Sequence, residues 1–561
     1  MDAALRQILL VYALENAAKH GSVPRAKAVM GKVLGTHPEL RPHAKELPAA
    51  LDEVLAEVAA MDPETWKAKL AELAPEVAGE MDTGKKKKKE KKELPPLEES
   101  EGGVVMRFAP NPSGPLHLGH ARAAFLNDAY VKRYGGRYVL RIEDTDPRRV
   151  DPEAYRMVQE DIEWMGLGVT DIVYQSDRMD IYYDLGRKLI ELGGAYVCTC
   201  DAGRFRELKL AKKACPCRSH TIEENLELWE QMLSGGFAEG QVTVRVKTDL
   251  EHPDPAIRDF SIFRIVDAPA HPRIEAKVYP LMNFSVVVDD HLLGITHVIR
   301  GKDHIANTRR QRYIFDYFGW KPPVYRHYGR MSIEGLVLST SSMHQGIDEG
   351  TYTGWDDIHL GTLRAIARRG IQPEAVCQAM VDLGTGDTDI SFSWENLYAQ
   401  NKAVIDETSD RFFFVPDPAR YEVEGAPEQT AEVPRYPGDE KRGMRTLEFT
   451  GGVVLPAAEV EGTAMVRLKD LFNIEVKGEG QAAYAGDDLA AAREAKAPII
   501  QWLPAGYGVP CTLRTPEGDL DGVCEPEVAE HVGGTVQFER VGFARIDRVE
   551  DGRVMAFFAH R

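Results

Sequence analysis

The chain has 561 residues, of which 43% are apolar and 28% charged, with a net charge of −19. That length exceeds one ordinary domain and suggests three or four, and the composition excludes a disordered chain. The acidic balance excludes a uniformly basic nucleic-acid coat but leaves room for local basic patches. No apolar run reaches the roughly 18–20 residues of a membrane span, and the first residues (MDAALRQILLVYALENAAKHG) carry acids and no cleavage pattern. Seven cysteines, four of them between 198 and 217, speak against a disulfide-stapled secreted fold, so a reducing, cytoplasmic location is expected.

The front of the chain reads as helical. Leu5, Ile8, Leu9 and Tyr12 recur at helical spacing, as do Leu51, Val54, Leu55 and Val58, and Asp62-Pro63 reads as a capped helix start. Residues 85–93 hold seven lysines and two glutamates ahead of Leu94-Pro95-Pro96. Such a run repels itself and reads as an exposed linker, with attraction to RNA phosphate as its functional alternative. From Val104 the pattern is strand, loop, helix, strand: VVMRF, the helix 118–134 stopped by Gly135-Gly136, and RYVLRI over 137–142. AYVC (195–198) and ITHVIR (295–300) read as further strands, the latter leading through GKDH into a helix over 305–318. This alternation predicts a parallel sheet covered on both faces, with ligands beyond the carboxyl ends of its strands. After about 411, short strands and Gly/Pro turns predict β-barrels.

The expected organisation is multidomain α/β. A helical domain spans 1–82 and a Lys-rich linker 83–101. A Rossmann-like domain is split over 102–197 and 286–330 by an insertion at 198–285. A loop and helical region at 331–410 and β-barrels at 411–561 complete the chain.

Neither GxxxxGK[ST] nor GxGxxG occurs. Instead the first strand runs into RFAPNPSGPLHLGHAR (107–122). Its prolines stiffen the loop, Gly114 and Gly119 admit a ligand close to the backbone, and His117 and His120 stand at a helix mouth where phosphate is favoured. This segment resembles the first signature of class I aminoacyl-tRNA synthetases, usually HIGH and here HLGH. LRIEDTDP (140–147) and GITHVIRGKDHIANTRRQ (294–311) are similar to the glutamyl/glutaminyl branch, above all to archaeal-type glutamyl-tRNA synthetases. APIIQWLP (497–504) and TVQFERVGFARID (535–547) resemble the barrels of that branch.

The resemblance implies ATP-dependent activation of L-glutamate and transfer to tRNA(Glu), with tRNA(Gln) as a further candidate. It implies Mg²⁺ with the ATP, a monomer, and no membrane. A tRNA-dependent amidotransferase or other synthetases are candidate associates. The insertion would hold the acceptor end, the helices after the second signature would follow the tRNA stem, and the barrels would read the anticodon.

In the site, His117 and His120 would act on phosphate, and Pro110, Gly114, Gly119 and Leu338 would join them around ATP. Arg107 and Arg300, at strand ends, would read the glutamate carboxylates, and Glu143 its ammonium. Arginine's fork matches a carboxylate with two parallel hydrogen bonds. A glutaminyl enzyme would not be expected to keep Arg300, whose buried charge a neutral amide could not offset.

The second signature, usually KMSKS, is Val337-Leu338-Ser339-Thr340-Ser341 here, so neither lysine is present. Ser339, Thr340 and Ser341 are still placed on the closing loop, with Arg330, His344 and Lys302 as candidate substitute cations. A catalytically silent RNA-binding paralogue is the alternative that this loss raises. Cys198, Cys200, Cys215 and Cys217 fit a tetrahedral structural zinc site, with His220 as a candidate substitute ligand; unmetallated buried cysteines are the alternative. Arg309, Arg310 and Arg312, and Arg364, Arg368 and Arg369, are basic clusters that read equally as RNA contacts or solvated helix faces. Arg411, Phe412, Phe413 and Arg435 are candidate anticodon contacts, the two phenylalanines reading more readily as core.

Overall fold

The computed structural model describes residues 3–20, 24, 26–36, 47–74 and 93–561. It divides into two compact units, Met1–Glu93 and Leu94–Arg561. In the first, helices Ala3–His20, Ala26–Thr36, Leu47–Ala59 and Pro63–Leu73 bury Leu9, Leu14, Leu51, Val54 and Val58 together. The Asp62 carboxylate accepts the Thr65 N–H at 2.8 Å and Pro63 opens the fourth helix, as the sequence predicts. Residues 85–92 of the lysine-rich stretch lie outside the described residues.

Residues 94–101, expected as linker, pack within the second unit. Leu94 and Leu97 are buried with Val104, Met106 and Tyr130. The Tyr130 hydroxyl donates to the Pro95 carbonyl at 2.8 Å, and the Leu97 N–H donates to the Tyr134 hydroxyl at 3.0 Å. A segment with two prolines cannot join a sheet ladder, so side chains of the neighbouring helix meet its backbone instead.

Strands β1 (Val104–Phe108), β2 (Gly136–Ile142) and β3 (Asp171–Tyr174) form a parallel sheet. Further along the chain, β8 (His297–Gly301) and β9 (Val324–Tyr328) form a second parallel ladder beside β1, where the Thr296 N–H donates to the Val105 carbonyl at 2.9 Å. Strand alternation then sorts the side chains. Val104, Met106, Tyr138 and Leu140 pack with Phe125, Leu126 and Tyr130 of the helix Leu118–Tyr134. The opposite parity carries Arg107, Arg141 and Arg300, and meets Asp290 of the helix Met282–Leu292. Each of these arginines is the penultimate residue of its strand. Helices therefore cover both faces, and three positive charges converge at the carboxyl ends.

AYVC does not join this sheet. As β4 (Ala195–Cys198) it opens a four-stranded antiparallel sheet with β5 (Thr243–Val246), β6 (Ser261–Ile265) and β7 (Val278–Pro280). All four of its residues are buried, and a wholly apolar strand reads the same in either setting. Trp229 and Phe263 pack edge to face behind this sheet, with Phe284 tilted against Phe263.

The carboxy-terminal region holds two seven-stranded sheets and a hairpin, with separate cores around Trp502 and Phe472 and around Phe538 and Val554. Among the described residues, no helix is long and apolar enough to cross a membrane.

Candidate active site

The loop 109–117 is held from several directions. Glu143 N–H donates to the Pro110 carbonyl, Asp151 N–H to that of Pro112, and Leu116 N–H to the Asp161 carboxylate at 2.7 Å. His117 caps the following helix: its Nδ1 accepts the Gly119 N–H at 3.0 Å, while His120 Nδ1 accepts the His117 N–H at 3.3 Å. A side chain at Gly119 would come within 2.8 Å of the His117 ring, so glycine there is what leaves room for the cap. The two imidazoles stack at 3.8 Å. Burial holds His117 down at about 4 and His120 well below the usual imidazole range, the latter helped by its neighbour. Both are thus neutral at pH 7. Because each Nδ1 accepts from backbone, each proton sits on Nε2, leaving two N–H donors.

Behind the histidines is a cavity of about 620 Å³ whose lining includes Arg107, His120, Glu143, Arg300 and His304. Arg107 Nε lies 3.4 Å from Asp290 Oδ1, and Arg141 Nη1 donates to the same oxygen at 2.7 Å. Arg141 Nη2 donates to Glu143 Oε1 at 2.9 Å. Burial alone would raise the Asp290 carboxyl, but the two guanidiniums hold it below its ordinary value. Arg300 donates to Thr308 Oγ1 and Gln311 Oε1, both at 2.8 Å, and its Nε is buried without a partner. Burial, then repulsion from Arg107, push Arg300 down to about 10. Arg107, Glu143 and Arg300 thus come together as expected. Arg141 and Asp290 are the members that sequence reasoning missed. Their signals were a charge inside the apolar strand YVLRI and an acid closing the run FSVVVDD.

The second segment approaches the first. The Val337 carbonyl accepts the Gly361 N–H, and the Gly361 carbonyl accepts the Leu118 N–H, each at 3.0 Å. Leu338 lies so close that a side chain on Gly361 would meet its Cδ2 at 2.4 Å. Ser339 caps the helix Thr340–Asp348, its Oγ accepting the Ser342 N–H at 3.3 Å. Thr340 touches the first loop, since a side chain on Gly114 would lie 2.7 Å from Thr340 Cγ2. Of the candidate cations, Lys302 is paired with Asp389 at 2.7 Å and His344 with Asp348 at 2.9 Å, while Arg330 lines the cavity of Arg107 and Arg300.

The sequence matches the family of tRNA synthetases class I (E and Q), catalytic domain, over residues 103–407. It matches the anti-codon binding domain of the same class over 409–487 and 499–547. The chain belongs to the class I E and Q tRNA synthetase family. It is 65% identical to a glutamate–tRNA ligase of Methanoculleus marisnigri and 62% identical to one of Methanocorpusculum labreanum, each match covering all of both chains. A glutamate–tRNA ligase of Methanocaldococcus jannaschii is 50% identical, over 99% of this chain and all of the relative.

In the insertion of this class I synthetase, the Sγ atoms of Cys198, Cys200, Cys215 and Cys217 all lie within 4.8 Å of one another. Cys198–Cys215 is 3.9 Å and Cys200–Cys217 3.6 Å. Tetrahedral Zn–S bonds of about 2.3 Å set sulfurs about 3.8 Å apart, so the four fit zinc. His220 is not in the group; its backbone N–H donates to the Cys217 carbonyl. Zinc, when bound, would tie the end of β4 to the turn Pro216–Ser219. Metal analysis of the purified chain is expected to give about one zinc, lost in Cys215→Ser; less than about half an equivalent in the parent chain would reject the site.

The basic cluster Arg364, Arg368 and Arg369 is taken up by partners within the protein. Arg364 pairs with Glu160 and Asp161, Arg368 with Asp356 and Asp547, and Arg369 donates to the Ala559 carbonyl. In the other cluster Arg310 donates to the Ala256 carbonyl and Arg312 pairs with Asp316. Phe412 and Phe413 are fully buried, which removes them as base-stacking surfaces. Arg411 pairs with Asp406, and Arg435 with Asp410 and Glu527.

Proposed function

We propose that this chain is a glutamate–tRNA ligase, making glutamyl-adenylate from glutamate and ATP and transferring the glutamyl group to the terminal adenosine of tRNA(Glu). The observation that carries this reading is the charge of the arginine cavity. The cavity lining sets Arg107, Arg122, Arg300 and Arg330 against Glu143 and Asp303, an excess of positive charge, and free glutamate carries one net negative charge. Neutral glutamine would leave that buried charge uncompensated.

In the first step the substrate α-carboxylate attacks the α-phosphorus, the bond to the bridging oxygen breaks, and pyrophosphate leaves. Arg107 and Arg300 hold the substrate carboxylates, and Glu143 takes the ammonium on the carboxylate whose Oε1 is fixed by Arg141. Nε2–H of His117 and of His120 donate to the phosphoryl oxygens as charge builds there, already set in place by the cap and so needing no reorganisation. Pro110, Gly114 and Gly119 keep the loop close to the nucleotide, and Leu338 to Ser341 close over it. Mg²⁺ would ride on the triphosphate and water. In the second step the terminal 2′-hydroxyl takes the glutamyl group and AMP departs. The insertion receives the acceptor end and the β-rich region the anticodon.

The test is charging of separate transcripts of tRNA(Glu) and tRNA(Gln) with labelled glutamate, ATP and Mg²⁺. Charging of tRNA(Glu) is the expected result. Charging of both would add a route through misacylated tRNA that an amidotransferase must complete. Charging of neither by the folded protein would overturn the reading in favour of a silent RNA-binding protein.

A further inference from the structure

Loss of both lysines from the second signature leaves the triphosphate end without the charge that Thr340 cannot carry. The structure brings another cation to that place. A cavity of about 750 Å³ lies between the two signature segments, lined by Ser113 on one side and Ser339, Thr340 and Ser341 on the other. Its third wall is the turn after β2, residues 148–151. That turn is tied to the first loop by the Asp151 N–H, which donates to the Pro112 carbonyl at 2.8 Å, and is closed by the Arg149 N–H on the Asp146 carbonyl at 3.0 Å.

Two arginines stand on this wall. Arg148 is engaged by Glu239 of the insertion. Arg149 is exposed, and its guanidinium has no partner among the described residues. The acids on the rim have partners of their own: Asp151 accepts the Glu153 N–H, and Asp348 and Glu349 are engaged by His344 and Gln345 of the same wall. Lys302 and Arg330 do not line this cavity.

We propose that Arg149 binds the β- and γ-phosphates of ATP and takes up the charge released onto pyrophosphate. A guanidinium donates in pairs to phosphate oxygens, so one arginine from a fixed turn does here what mobile lysines do in the usual signature. This rests on the ligase reading above.

The test is ATP–pyrophosphate exchange by the full chain with glutamate and tRNA present. Arg149→Ala is expected to lower exchange about 30- to 100-fold, with the KM for glutamate unchanged, and Arg149→Lys to keep most of the activity. Thr340→Lys added to Arg149→Ala should recover about tenfold, because it returns a charge to the same phosphates from the opposite wall. Exchange by Arg149→Ala within about threefold of the parent would overturn the proposal. A loss that neither lysine relieves would overturn it too, marking Arg149 as scaffold. Absence of exchange in the parent enzyme would instead refute the ligase reading itself.

Discussion

Replacing His117 by asparagine is expected to leave the fold intact and slow adenylate formation by about 10²-fold or more. Asparagine is a good helix cap and can still accept the Gly119 N–H, so the loop keeps its anchor. What it lacks is the Nε2–H. His117→Ala removes both and should add about 1 kcal/mol of lost stability to the same kinetic defect. Parent-like exchange in His117→Asn would reduce the residue to a cap. The pH dependence gives a second check. With His117 held at about 4 by burial, it stays neutral as pH falls through 6.5. The profile of kcat/KM should therefore show no fall with a midpoint near 6.5, and such a fall would mean that the imidazole is solvated and charged there.

Arg300→Ala is expected to raise the KM for glutamate by about 10²-fold while changing that for ATP by less than about threefold. Removing one side of a buried charge-assisted pair costs about 2–5 kcal/mol, and here it also lowers the positive charge that the substrate balances. Equal effects on glutamate and ATP would make Arg300 a scaffold residue, since its bonds to Thr308 and Gln311 also tie β8 to the helix Ile305–Phe318. Arg300→Lys separates the two cases: it keeps the charge and loses the fork, so an intermediate glutamate KM is expected.

The parts of this molecule legible in the sequence are those where local chemistry and position agree. The first signature loop, its two histidines and the helix 118–134 could be placed because Pro, Gly and His each do something the backbone requires there. Arg107 and Arg300 were legible as charges at strand ends. Arg141 was not, because its part depends on Asp290, which lies far along the chain and meets it only through strand parity and the opposite helix face. The setting of AYVC was hidden for a different reason: pairing direction is decided by partners across an insertion, and an apolar strand carries no mark of it. Residues 94–101 looked like a continuation of the charged run, yet two leucines sufficed to dock them. Arg364 and Arg368 looked basic only because their carboxylates arrive from other elements.

The run Phe412-Phe413-Phe414 has a consequence for how the anticodon-binding region tolerates change. Phe412 and Phe414 enter the core around Phe538, whereas Phe413, between them, enters the core around Trp502. Three consecutive residues thus rivet two cores through nothing more than the two-residue period of an extended chain. Adding or deleting one residue at this seam would swap every aromatic ring to the wrong side and unseat both cores together. Evolutionary drift in length is therefore affordable in the turns of either sheet and closed off at the seam that joins them.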